Sequence, residues 1–343
     1  MDRDYYAVSA KLKAMYSYHL TKDDYINISK KKTISEIISY LKNSTGYGNI
    51  LSGIDGRTVH REDLEIILRE YMFLEYDRMY RFVHGDKRKL LWFLCMREEI
   101  WYIKRMFRKL YNRDSDVEPI EVSDFVKNHS SVDISALVNA ESVDSLIGVL
   151  KNSQYSKLLV KYNFDTNSFN LFDAEMSLDK YYLTSLNTAA KKYLPKSEYK
   201  ILSQIIGTEA DLTNISWIYR AKKYFNIPKE IIYSYIVPVY NKINHDDIVS
   251  MVELDSSDDI IRYLEKGPYS VVFENKDDRF IEEKANKFLY RLCKRIYISH
   301  ARTIAEIFAY FVLKEQEFKN IIIIAESIRY GFDEDIIVEH ITV

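Results

Sequence analysis

Glycine, proline and cysteine are scarce in this chain of 343 residues, which has nine Gly, five Pro and two Cys. Because Gly and Pro interrupt helices, their scarcity favours long helices, and apolar residues recur at helical spacing without sustained alternation. Two cysteines are too few for a disulfide framework, and Cys95 and Cys293 lie in helical apolar patterns that predict buried thiols. The sequence therefore predicts an all-α protein.

A strong net charge and a long hydrophobic run are also missing. The net charge of −2 gives no overall attraction to nucleic acid or to a membrane. The longest apolar stretches, such as Ile307–Leu313, fall far short of the ~20 residues that cross a bilayer, and no apolar signal segment is seen at the N-terminus. We therefore expect a cytosolic protein with no membrane span of its own.

The sequence contains no recognisable constellation of catalytic, cofactor-binding or metal-binding residues. The GYG at positions 46–48 does not continue into a nucleotide-binding fingerprint, and the histidines show no metal-ligand spacing. Glu209 and Asp211, like Glu315 and Glu317, are two positions apart, so on a helix the members of each pair point to nearly opposite sides. We predict no catalytic residue, no cofactor and no metal.

What the chain does contain is a threefold internal repeat. The segments Thr33–Leu51, Ser142–Leu159 and Ser256–Phe273 share an apolar pair, a Leu, a polar break and a Tyr. The Leu and Tyr positions are Leu41, Leu150 and Leu264, and Tyr47, Tyr155 and Tyr269. A period of about 110 residues indicates a repeated domain rather than a solenoid turn. We predict three domains, at residues 1–112, 113–226 and 227–343.

A second repeated segment aligns on Ile103, Ile215 and Ile321 and consists of six apolar columns. The columns are Leu90/Leu202/Phe308, Phe93/Ile205/Phe311, Leu94/Ile206/Val312, Ile100/Leu212/Phe318, Ile103/Ile215/Ile321 and Met106/Ile218/Ile324. Spacings of three or four within each half predict helix, but the two halves point to different faces. Two alternatives remain open: one helix buried on two sides, or a break at which Thr208 and Asp211 form a capping box.

Polar residues recur between the two apolar halves. Their columns are Arg97/Glu209/Glu315, Glu99/Asp211/Glu317 and Tyr102/Asn214/Asn320. A polar position inside an apolar stripe more often orients helices, through a hydrogen bond to a neighbouring backbone or side chain, than it performs catalysis. We therefore predict a structural role for these columns.

Basic residues are concentrated between Arg78 and Arg113. Lys104, Arg105 and Arg108 lie opposite the apolar stripe of the predicted helix, as either a solvated face or a docking surface. Interleaved aromatic residues superficially resemble a nucleic-acid surface, but an ordinary amphipathic helix explains them, so no nucleic-acid binding is predicted. We name Lys104, Arg105 and Arg108 as the candidate docking surface.

Two phrases carry a family resemblance: EADLTNISWIYRAK (Glu209–Lys222) and YFVLKEQEFKNIIIIAESIRYG (Tyr310–Gly331). Together with the three helical repeats, they resemble the C subunit of bacterial and archaeal V/A-type rotary ATPases, the counterpart of the eukaryotic d subunit. The signature residues are Glu209, Asp211, Asn214, Arg220, Glu315, Glu317 and Asn320. The first repeat departs from the pattern, because Tyr102 stands where Asn is expected.

The resemblance implies a funnel of three pseudo-equivalent helical-bundle domains. Such a protein sits on the membrane rotor ring, receives the central-shaft subunits and performs no chemistry itself. As one copy per complex, at the cytoplasmic face of the membrane, it couples the shaft to the ring for proton or sodium transport. The alternative is a free-standing all-α repeat scaffold that binds soluble protein partners.

Overall fold

The structure is a computed structural model that describes residues 4–56, 59, 61–112, 122, 124–159, 171–273 and 281–343. Within these ranges the regular elements are helices and no strand is present, which confirms the predicted all-α class. The chain forms two compact units, Met1–His84 with Arg279–Val343, and Gly85–Asp278. We call them the split unit and the contiguous unit. The predicted boundaries after residues 112 and 226, and the funnel, stay predictions.

The split unit contains α1–α4 and α16–α18, and the contiguous unit contains α5–α15. In chain order the helices are α1 (Asp4–Tyr16), α2 (Lys22–Ser29), α3 (Ile34–Ser44), α4 (Arg61–Phe82), α5 (Gly85–Asn112), α6 (Asp124–His129), α7 (Ile134–Val138), α8 (Val143–Leu150), α9 (Ser156–Leu159), α10 (Leu171–Tyr193), α11 (Lys196–Arg220), α12 (Lys229–Tyr235), α13 (His245–Glu253), α14 (Ser257–Leu264), α15 (Ser270–Phe273), α16 (Ile281–Ser299), α17 (Ile304–Arg329) and α18 (Glu334–His340). A π-helical turn, Ala221–Phe225, continues α11.

The second repeated segment forms one continuous helix in each copy: α5, α11 and α17. Of the six predicted apolar columns, only Val312 is not buried. Helix α11 packs against α10 and also against α13 and α14, which explains its apolar residues on two faces. It runs without a break through Thr208, so the capping-box alternative is wrong. The Thr208 hydroxyl instead accepts a hydrogen bond from the Asn241 side chain.

The first repeated segment forms the short helices α3, α8 and α14, each followed by a turn. They start after Thr33, Ser142 and Ser256, whose side-chain hydroxyls accept the backbone N–H three residues on. Capping of this kind satisfies one of the amides that the first helical turn leaves without a partner. The repeated Leu and Tyr side chains that follow are all buried. The repeated phrase therefore specifies a capped helix and a buried tyrosine.

Helices α5 and α11 run in the same direction in the contiguous unit. Contacts from α5 to α10 pair Arg97 with Tyr182 and Arg108 with Glu175, so these two helices are antiparallel. Helices α10 and α11 are joined by only two residues, 194–195, and are antiparallel as well. The C-terminal ends of α5 and α11 consequently lie at the same end of this unit as the start of α10.

Candidate functional site

Three buried carboxylates, one on each long helix, form the most distinctive polar feature of the structure. They are Glu99 on α5, Asp211 on α11 and Glu317 on α17, each at most 2% exposed. A carboxylate removed from water is costly unless hydrogen-bond donors surround it. The surroundings of each carboxylate therefore show what the repeated acidic column does.

Each carboxylate accepts a hydrogen bond from one of the three repeated tyrosines. The pairs are Tyr155 Oη with Glu99 Oε2 at 2.5 Å, Tyr269 Oη with Asp211 Oδ2 at 2.7 Å, and Tyr47 Oη with Glu317 Oε1. All three tyrosine side chains are completely buried. Hydrogen bonds to a charged group stabilise by about 1.5–3 kcal/mol each, more than neutral ones.

Each carboxylate also accepts a backbone N–H from the loop before another short helix. The donors are Leu20 to Glu317, Ser131 to Glu99, and Lys242 to Asp211. Their positions in the sequence, 20, 131 and 242, are separated by two steps of 111. The backbone and tyrosine donors lie before and after a pair of short helices, which we call a short-helix cluster: α2 and α3, α7 and α8, or α13 and α14. We call each set of carboxylate, tyrosine hydroxyl and backbone N–H an anchor, because it fixes both ends of one short-helix cluster to one long helix.

The third anchor joins opposite ends of the chain. Glu99 and Asp211 bind segments that follow them in the sequence, whereas Glu317 binds Leu20 and Tyr47, 297 and 270 residues away. Helices α2 and α3 are thus anchored on α17 within the split unit. A tyrosine and its carboxylate always belong to different copies of the aligned repeat.

A close approach of backbones accompanies the Asp211 anchor. The amides of Asn241, Lys242 and Ile243 all point to its carboxylate, at 2.8–3.4 Å. A Cβ atom at Gly207, one turn earlier on α11, would come within 2.8 Å of the Tyr240 carbonyl oxygen. Burial raises the pKa of Asp211 to about 6, with the surrounding hydrogen bonds acting in the opposite direction.

Two repeated asparagines fasten the segments that come after the long helices. Asn214 donates to the Val237 carbonyl oxygen at 3.0 Å and accepts from its N–H at 2.8 Å. Asn320 bonds in the same way to Thr342, at 2.7 and 3.2 Å. A single amide side chain here satisfies both backbone groups of one buried residue. In α5 the corresponding Tyr102 is a buried ring.

The remaining signature residues lie nearer the surface. Arg97 Nη2 donates to both carboxylate oxygens of Glu209, at 2.8 and 2.7 Å, so two members of one repeated column form an ion pair with each other. Glu315 pairs with Lys319 one turn further along α17, at 3.2 Å. Arg220 is exposed in the last turn of α11.

The candidate docking surface on α5 is engaged within the contiguous unit. Lys104 pairs with Asp179, and Arg108 forms two hydrogen bonds with Glu175 at 2.6 and 2.8 Å. The guanidinium of Arg105 lies 5.2 Å from the ring centre of Trp101. Any partner that binds this surface has to compete with the two acidic residues of α10. The docking role stays a prediction.

The anchor in the split unit contains a buried lysine that the other two anchors lack. Lys314 is completely buried, 2.6 Å from Glu317, with its ammonium over the rings of Tyr47 and Tyr71 at 4.8 and 4.7 Å. Burial by itself would raise the pKa of Glu317, but the charge of Lys314 and the hydrogen bonds from Lys314 and Tyr47 hold it below its ordinary value. This carboxylate is therefore ionised in the folded protein.

His19 and Glu75 complete the buried polar cluster of the split unit. Burial lowers the pKa of His19 to about 4, so its ring is neutral beside Glu317, 3.3 Å away. Burial raises the pKa of Glu75, which accepts a hydrogen bond from Tyr310 at 2.7 Å. No sequence pattern marked His19, Lys314 or Glu75 as buried. Leu20, Ser131 and Lys242 share no residue type, so their common step of 111 is recognised only after the structure shows that their backbone amides play the same role.

Membrane-spanning helices and metal centres are both absent from the described ranges. None of the helices there combines the length and apolar composition that a bilayer crossing requires. Over the same part of the chain, no group of His, Cys, Asp and Glu side chains is arranged to hold a metal ion. Cys95 and Cys293 are both buried and form no disulfide, as predicted for these thiols.

Comparison with known proteins gives a match along nearly the whole chain. Residues 8–340 match the model of the ATP synthase (C/AC39) subunit family. A relative from Methanococcoides burtonii, named as the C subunit of an A-type ATP synthase, is 27% identical over 97% of this chain and 93% of its own length. Relatives with the same name from Methanosarcina barkeri and Methanosphaera stadtmanae are 24% and 23% identical, over 98% and 94% of this chain and 92% and 83% of their own lengths.

Proposed function

The chain belongs to the ATP synthase (C/AC39) subunit family, and from that premise we propose that it is the central-stalk rotor subunit that couples the shaft of an A/V-type ATPase to its membrane ring. Family membership identifies it as a non-catalytic subunit of a membrane-associated complex. The proposal adds the position within that complex: one copy, peripheral on the cytoplasmic face, between central-shaft subunits and the rotor ring, for ion transport.

One observation carries the proposal: the family match extends over residues 8–340 and is not confined to one repeat. The name of the relatives, the C subunit of an A-type ATP synthase, supports it for most of the chain. The anchors fit the mechanical role, because a part that transmits torque has to resist deformation. Each anchor fixes a short-helix cluster to a long helix through buried, charge-assisted hydrogen bonds.

Two measurements test the proposal: co-purification of the chain with rotor subunits, and the coupling of ATP hydrolysis to ion transport. A tagged full-length chain is expected to purify from gently solubilised native membranes together with rotor subunits, at one copy per complex. Membranes without the chain should still hydrolyse ATP at the catalytic head but should no longer transport ions. Purification with no rotor subunit, or full ion transport without the chain, would overturn the proposal.

The docking role of Lys104 and Arg108 needs a test that separates it from their ion pairs within the contiguous unit. Reversal of both charges with Lys104→Glu and Arg108→Glu is expected to weaken assembly, and the loss relative to the unaltered chain should be greatest at low salt, where the charges are least screened. A matched variant also carries Asp179→Lys and Glu175→Arg. It restores both ion pairs between α5 and α10, with the acidic residues now on α5 and the basic residues on α10. Recovery of assembly in that variant would show that the ion pairs, and not the basic face of α5, are what assembly requires.

A further inference from the structure

Large apolar side chains are exposed where α11 ends in the contiguous unit. Tyr224 and Phe225, in the π-helical turn, are 58% and 57% exposed, and Ile231 in the first turn of α12 is exposed too. Between them lies Asn226, the C-cap of the π-helical turn, which has a left-handed backbone with φ of 46°. Scattered apolar residues are normal on a surface, but a contiguous group is typical of a binding site.

Exposed apolar residues also follow α17 in the split unit, where Tyr330 and Phe332 are 72% and 52% exposed and Ile336 is exposed in α18. A step of 105 residues, one less than the step from Ile215 to Ile321, pairs Phe225 with Tyr330 and Ile231 with Ile336. The same step pairs the left-handed Asn226 with Gly331, which is left-handed as well. The neighbouring Ile232 and Ile337 also correspond to each other, but both are buried. Packing explains why a buried apolar position recurs in two copies of a repeat. It does not explain recurrence of exposed ones, which therefore indicates contact with another molecule.

The two groups lie among charges of opposite sign. Residues 220–230 include four bases and one acid, a sum of +3, whereas residues 326–336 include one base and four acids, a sum of −3. One of the four bases, Lys229, is paired with Glu253 at 2.8 Å, so Arg220, Lys222 and Lys223 supply the positive charge of the first stretch. Lys223 places positive charge beside one exposed ring: its ammonium lies 5.6 Å from the ring centre of Tyr224, and 5.4 Å from that of the buried Tyr219. The exposed group of Tyr224, Phe225 and Ile231 thus suits a partner of negative charge.

Aromatic side chains of α10 and α5 lie at the same end of the contiguous unit as Tyr224 and Phe225. Phe172, at the start of α10, has its ring centre 5.3 Å from that of Phe225. Tyr111, in the last turn of α5, is exposed at the same end of the unit, because α5 and α11 run in the same direction. Aromatic side chains with an exposed face are the commonest high-energy contacts of protein interfaces.

We propose that Tyr224, Phe225 and Ile231, with Lys223 at their edge, form a docking surface for an acidic protein segment in which apolar side chains are flanked by carboxylates. The surface rests on the proposed function, because the partner is taken to be another subunit of the complex. Apolar contacts with the rings provide the affinity, and the positive charge selects an acidic partner. The acidic group around Tyr330 rejects that partner, so the two groups do not compete.

The first test compares full-length variants in co-purification from native membranes. Tyr224→Ser with Phe225→Ser is expected to lower recovery of the partner subunit about tenfold or more, the effect of losing central aromatic contacts. Lys223→Glu should lower recovery mainly at low salt. Tyr263→Ser, at another exposed tyrosine of the same unit, is the matched control and should change nothing. Equal thermal melting of all variants shows that each is folded.

The second test identifies what touches Phe225. A photo-crosslinking p-benzoylphenylalanine at position 225 is expected to join a protein segment rich in Asp and Glu from another subunit. A crosslink to a basic segment or to a second copy of the chain would overturn the proposal. So would binding of the purified chain to phosphatidylserine–phosphatidylcholine vesicles that the double serine variant abolishes, since the surface would then recognise lipid.

The outcomes separate this inference from the proposed function. If the unaltered chain purifies with rotor subunits and the double serine variant does so equally well, the docking surface is wrong and the function stands. If the unaltered chain purifies with none of them, the function fails and the surface proposal fails with it.

Discussion

The charge on Glu317 provides the sharpest test of the anchor in the split unit. The change Glu317→Gln keeps the size of the side chain and one acceptor oxygen, but it removes the negative charge 2.6 Å from Lys314. Because Lys314 is completely buried, its ammonium would lose the counter-charge with which it is paired and would keep only Glu75 as an acidic neighbour. Removal of one partner of a buried ion pair costs about 3–5 kcal/mol of unfolding free energy.

The matched change in the contiguous unit is Glu99→Gln. The alignment places Met96 where α17 has Lys314, so no buried cation is left behind. Only charge-assisted hydrogen bonds are weakened, at a cost of about 1.5–3 kcal/mol. The double variant Lys314→Met/Glu317→Gln copies the Met96 arrangement, and we expect it to be more stable than Glu317→Gln alone by at least ~1 kcal/mol.

Urea unfolding followed by circular dichroism measures these costs, and hydrogen exchange locates them. Glu317→Gln is expected to accelerate exchange in α2 and α3, which lie nearly 300 positions earlier in the chain, and to leave α7 and α8 unchanged. Glu99→Gln should show the reverse. Equal costs for the two glutamines, a double variant no more stable than Glu317→Gln, or unchanged exchange in α2 and α3 would each refute the reasoning.

Three further changes test other parts of the fold. Ile215→Asp places a charge on the buried stripe of α11 and should cost about 3 kcal/mol or more in urea titrations; unchanged stability would show that the register is wrong. Asn320→Leu removes both hydrogen bonds to Thr342, so hydrogen exchange in α18 should rise, and an unaltered rate would contradict the role of the amide. His19→Gln removes a group whose pKa burial lowers from 6.5 to about 4. As the pH falls, His19 therefore binds a proton in the unfolded chain before it does so in the folded chain. The free energy of unfolding consequently decreases as the pH falls from 6.5 to 4. Melting curves of the variant should show a smaller loss over that interval, and identical curves would exclude His19 as a source of acid sensitivity.

The helices could be predicted from sequence because their signals are local. Apolar spacing of three and four residues predicted α5, α11 and α17. The Ser or Thr that caps α3, α8 and α14 is an equally local signal, although no helix start was predicted from it. The choice between a continuous and a broken helix required knowledge of what packs on each face. Helix α11 is continuous because α10, α13 and α14 all cover it.

The anchors could be predicted only in part. Alignment identifies Tyr47, Tyr155 and Tyr269 as equivalent, but equivalence does not say which long helix each tyrosine meets. Backbone amides have no sequence signature, so the contributions of Leu20 and Lys242 were not visible.

The partners of the basic face on α5 were also missed, although a signal exists. Lys104 and Arg108 are four residues apart, and so are Glu175 and Asp179 on the antiparallel helix α10. Two such pairs at matching spacing are typical of facing helices. The composition of α5 alone shows only its excess of positive charge.

The third anchor has a consequence for the order in which the protein folds during synthesis. The contiguous unit is encoded without interruption, so both of its anchors are complete well before the end of translation. Tyr47 has to wait for Glu317, 270 residues later, which at 5–20 residues per second is roughly 14–54 s. During that interval α2 and α3 leave the ribosome without the helix on which they pack, and the buried faces of Ile28, Ile38 and Leu41 are open to chaperones and to aggregation.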